Sequence, residues 1–136
     1  MAARKGATPI FPSIAAAKTL FDRLGRSIEI PTEVALEATS ASTATVSAHF
    51  AYLDAICRWL IAQGVAETAA RRQVAATFAG LAAQLHEDAP DFAELARDHA
   101  TRGGINEQFL GVLDQARVFD AVSTGLDRVL ERLTRR

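Results

Sequence analysis

A chain of 136 residues fits one compact domain, or one domain with a short extra segment, and leaves no room for a second full one. Fifteen basic residues against sixteen acidic ones give a net charge of -1, so no long-range positive field gathers phosphate backbones or anionic lipid, which argues against nucleic acid and membrane as partners. Hydrophobic residues at 49% and charged residues at 23% mark a folding sequence, and the single cysteine, Cys57, excludes an intrachain disulfide, a thiolate metal cluster and a CxxC redox pair.

The first nine residues carry Arg4 and Lys5 with no apolar run behind them. No stretch approaches the roughly 20 apolar residues that a bilayer crossing requires, so the expectation is a cytoplasmic protein. Ala7-Thr8-Pro9-Ile10-Phe11 reads as a short strand closed by Pro12. Ser13 stands where an N-cap belongs, ahead of Ile14, Lys18, Leu20, Phe21 and Leu24, with Gly25 as the stop of a helix. Arg26 to Ile30 alternates polar and apolar before Pro31, the pattern of a second brief strand. Two short strands and one helix leave most of their faces open, so this β-α-β piece does not stand alone.

From Thr32 onward no strand is expected. Thr32 caps a short helix to about Thr39, with Glu33 favouring the positive end of its dipole. Serine and threonine at 39, 40, 42, 43, 45 and 47 then predict a break near 40–43, because their hydroxyls compete for backbone partners. Val46, Phe50, Leu53, Ile56, Cys57 and Leu60 share one face of a long helix that stops at Gly64, and that face is expected to be buried. A second long helix runs to about His86, with Val74, Phe78, Leu81 and Leu85 spaced among alanines that let helix axes approach closely. Pro90, Asp91 and Glu94 start another helix that turns Phe92 and Leu95 inward and ends before Gly103-Gly104. Ile105 to about Asp114 follows, then Arg117 to about Arg135, whose Val118, Val122, Leu126, Val129, Leu130 and Leu133 line one side. The class is mainly α, a bundle of about six helices after a short N-terminal β-α-β remnant, with a boundary between 1–31 and 32–136.

Candidate catalytic groups are few. His49, His86 and His99 lack a second ligand at helical metal spacing, and Ser47 and His49, two apart on a helix, point away from each other. Cys57 falls on an apolar stripe, where an inert thiol is the ordinary reading. Eight glycines include no Gly-x-Gly, so neither a dinucleotide fingerprint nor a P-loop is present. One stretch, Thr101-Arg102-Gly103-Gly104-Ile105-Asn106, offers free N–H groups at a helix start together with side-chain donors from Thr101, Arg102 and Asn106, suited to a small carboxylate. Spacing alone favours the plainer meaning of a helix stop followed by a helix start.

In order, these segments resemble pyrroline-5-carboxylate reductase, and in particular its helical C-terminal dimerisation domain, from about Ala7 to Leu133. Ala7 to Pro12 looks like the last strands of that family's nucleotide-binding domain, and Leu20-Phe21-Asp22-Arg23-Leu24-Gly25 like the helix end that follows. Asp98 to Asn106 is similar to the Thr-Ser-Pro-Gly-Gly-Thr-Thr loop, and Gly111-Val112-Leu113 through Phe119-Asp120-Ala121-Val122 continues the likeness. The resemblance implies an interlocked homodimer that completes a pocket for a cyclic imine acid reduced with NAD(P)H. By position, Thr101 matches the loop's serine, Gly103 and Gly104 its glycines, and Asn106 its second threonine. Departures are equally specific: Arg102 replaces proline, Ile105 and Asn106 replace the threonine pair, and Ser42 to Ala48 keeps only the first serine of Ser-Gly-Ser-Gly-Pro-Ala-Tyr. With no Gly-rich βαβ unit, no cofactor is expected on this chain, NAD(P)H belonging to the full-length family.

Three readings follow. The chain is the dimerisation and substrate-side domain of an imine reductase, inactive alone. Alternatively, it works with a separate Rossmann domain, or as a stand-alone helical module binding a small carboxylate.

Overall fold

In the computed structural model of the chain, residues 6–85 and 91–135 are described. The expectations placed on Arg4, Lys5, His86 and Pro90 lie outside them. The order is β1 (Ala7–Ile10), α1 (Ala15–Leu24), β2 (Arg26–Glu29), then six helices: α2 (Glu33–Ser42), α3 (Thr45–Ala62), α4 (Glu67–Ala82), α5 (Phe92–His99), α6 (Ile105–Gln115) and α7 (Val118–Thr134). The mainly α class with a β-α-β start is as the residue pattern implies. Among the described residues no strand follows β2. The chain divides into two compact units, Met1–Thr45 with Val122–Arg136, and Val46–Ala121.

In the first unit β1 and β2 pair in parallel, Ala7 opposite Arg26 and Ile10 opposite Glu29, and Ile30 N–H extends the ladder to the Ile10 carbonyl at 3.0 Å. A crossover helix is what a parallel pair requires, and α1 supplies it. Gly25 ends α1 by donating its N–H to the Phe21 carbonyl, and a side chain there would strike the Gly6 carbonyl. Ser13 is not the cap of α1; Ile14 holds that place without a side-chain bond, and the Ser13 hydroxyl donates to Glu29 Oε2 at 2.7 Å. That bond belongs to a polar clasp. Asp22 Oδ1 accepts from the Ser27 N–H at 2.9 Å and from its hydroxyl at 2.6 Å, while Lys18 Nζ lies 3.2 Å from Asp22 Oδ2 and 3.8 Å from Glu29 Oε1. The Ser27 bonds first, and Lys18 after them, lower the Asp22 carboxyl from 3.8 to about 2.

The alternation that suggested a half-buried β2 has the opposite sense, because Ser27 turns into this clasp and Ile28 is exposed. Thr32 caps α2 as expected, its Oγ1 accepting from Ala35 N–H at 3.1 Å. The helix then runs three residues past the expected end. The hydroxyls of Thr39, Ser40 and Ser42 donate back to the carbonyls of Ala35, Leu36 and Thr39, so they are satisfied within the helix rather than competing with it. The break falls at Thr43 and Ala44.

In the second unit α3 ends in a Schellman motif. Gly64, at φ +91°, donates to Ile61, and Val65 donates to Leu60, which satisfies the terminal carbonyls. The chain turns into α4, and Phe78 receives His49 and Tyr52 edge-on, with ring centroids 6.2 and 6.0 Å away. Ala70 and Val74 are the buried residues of α4. Helix α4 ends at Ala82, short of the expected His86. Arg117 does not begin α7 as expected. It takes φ 54° between α6 and α7, a left-handed conformation costing about 1 kcal/mol for a non-glycine residue. Its Nε reaches Asp120 Oδ2 at 2.6 Å in the first turn of the next helix.

Candidate functional site

Two features of the helical part are candidates for function: the loop between α5 and α6, and the apolar faces of the helices. The loop is built from a capped helix inward. Asp91 Oδ1 accepts the Glu94 N–H at 2.7 Å, which fixes the start of α5. Helix α5 ends at Ala100, whose N–H bonds back to Ala96 and Arg97.

All five residues singled out in the sequence, Thr101, Arg102, Gly103, Gly104 and Asn106, lie together in this loop and the first turn of α6. The Thr101 carbonyl accepts the Gly104 N–H at 2.8 Å, and a Cβ on Gly104 would stand 2.7 Å from Thr101 Oγ1 and 2.9 Å from its carbonyl oxygen. Glycine is therefore required at 104 for close approach and at 103 for backbone sign, since Gly103 has φ +75°. Asn106 Nδ2 donates to the His99 carbonyl at 2.9 Å, tying α6 to the end of α5. Arg102 is exposed.

One participant was not foreseen. Glu107 Oε2 accepts the Gly103 N–H at 2.6 Å, so a carboxylate of the chain itself sits on the N–H group that a ligand carboxylate would seek. The signal was present, because Glu three positions after the N-cap residue Gly104 is capping-box spacing. What the loop demonstrates chemically is that its glycine turn accepts a carboxylate from the N-terminal side of α6.

The second feature is apolar. Helix α3 was expected to bury the face carrying Val46, Phe50, Leu53, Ile56, Cys57 and Leu60. Leu53, Ile56, Cys57 and Leu60 are half-buried, none is fully buried, and Phe50 remains 63% exposed, as Trp59, off that face, does at 62%. Phe92, expected inward, is 77% exposed. On α6, Ile105, Phe109 and Val112 fall at i, i+4 and i+7 on one exposed stripe. Among the described residues the buried apolar set is Ile10, Ala41, Ala70 and Val74, and no large side chain is fully enclosed.

The periodicity marks these faces as apolar, and among the described residues they are covered only in part.

Among the described residues, the β1–α1 turn does not fit the pyrophosphate of the cofactor that the resemblance implies. The turn from β1 to α1 is Phe11-Pro12-Ser13-Ile14, without a glycine to let the backbone approach a pyrophosphate. Among the described residues no group of three His, Cys, Asp or Glu is placed to hold a metal ion, and no helix is long and apolar enough to cross a membrane.

Exposed apolar helix faces on an all-helical unit, beside a closed glycine loop, define a helical association domain. The chain belongs to the pyrroline-5-carboxylate reductase dimerisation family, which it matches over residues 33–135. Its fold is that of a pyrroline-5-carboxylate reductase from Coxiella burnetii, at 20% identity and a TM-score of 0.81, covering 97% of this chain and 52% of that one. A pyrroline carboxylate reductase from Plasmodium falciparum with NADP bound is also similar, at 14% identity and a TM-score of 0.74, covering 95% of this chain and 52% of that one. The chain thus spans about half the length of these relatives. No curated protein matches it.

Proposed function

We propose that this chain pairs with a second copy of itself and serves as the dimerisation and substrate-side domain of an NAD(P)H-dependent imine reductase related to pyrroline-5-carboxylate reductase, acting in the cytoplasm in proline biosynthesis. The observation that carries the reading is the uncovered apolar surface of α3, α5 and α6 in a member of a dimerisation family. Interlocking long helices from two copies would cover those faces. Residues 1–31 are the end of a nucleotide-binding domain in this reading and 32–136 the pairing domain. NAD(P)H supplies the reducing equivalent when bound, on a nucleotide-binding part that these residues do not form, so the chain alone is inactive; that part is either continuous with it or a separate Rossmann domain. Size-exclusion chromatography with light scattering tests the pairing: a dimer mass at micromolar concentration is expected, and a clean monomer rejects it.

A second reading concerns the loop. Capture of the Glu107 carboxylate by Gly103 supports a preference for small carboxylates at Thr101, Arg102, Gly103, Gly104 and Asn106, and makes Glu107 a competitor for the same N–H. Calorimetry with proline-like acids checks it. Glu107→Gln should tighten such binding about tenfold, because a neutral amide holds the N–H less strongly than a carboxylate. Equal or absent binding in both proteins removes the loop from consideration.

A further inference from the structure

No further inference is drawn: the strongest candidate, the exposed apolar stripe of Ile105, Phe109 and Val112 on α6, belongs to the pairing surface already proposed, and nothing in the structure shows what else would cover it.

Discussion

The β-α-β segment and the helices of the second unit are held by different kinds of interaction. In the first, Lys18, Asp22, Ser27, Glu29 and Ser13 bind one another across α1 and β2, so short-range polar bonds set the arrangement with little apolar burial beyond Ile10. In the second, local signals such as the Gly64 turn and the Asp91 cap shape each helix, while the apolar faces of α3 and α6 are covered only in part among the described residues, leaving Phe50, Ile105, Phe109 and Val112 exposed. Polar clasps are complete within one copy because hydrogen bonds saturate. Apolar surface does not saturate, and what is left over calls for a partner.

The sharpest way to break this contrast is Phe50→Ala. A side chain facing water tolerates that change within about 0.5 kcal/mol, whereas one enclosed by a partner loses about 3 kcal/mol or more. Denaturant unfolding of the dimer should therefore show the larger loss, together with a lower dimer fraction; an unchanged midpoint would return α3 to the solvent.

Gly25→Ala probes the other region. Its methyl group would meet the Gly6 carbonyl, so about 1–3 kcal/mol of destabilisation is expected, with amide protection lost in Ala7–Ile10 and Arg26–Glu29 while dimer mass persists. Loss of both together would mean that the two regions depend on each other.

The smallest effect is a pH dependence. The Asp22 carboxyl lies below its ordinary value, lowered from 3.8 to about 2, so what the clasp contributes is full above about pH 4 and declines as pH falls toward 2. Asp22→Asn should flatten that acid limb without moving the midpoint's concentration dependence. A direct carboxyl titration by NMR that returns the ordinary value would remove the charge from the clasp's stability.

Several elements were legible before the fold was known because their causes lie within a few residues. Thr32 and Asp91 cap helices through an N–H three positions on, and Gly64 and Gly25 stop them through adjacent backbone. The loop 101–106 was legible as a group for the same reason. The role of Asn106 was not, since its amide reaches back seven residues to His99, and Glu107 was passed over although its spacing announced a cap.

Composition and period by themselves determined a mainly α chain with an N-terminal β-α-β piece, without an intrachain disulfide or Gly-x-Gly turn, and marked which side of each helix avoids water. They could not decide where that side finds shelter. Periodicity reports that a face is apolar, whereas burial depends on what packs against it, and only the tertiary structure revealed that Phe50 and Phe92 look outward from their own chain.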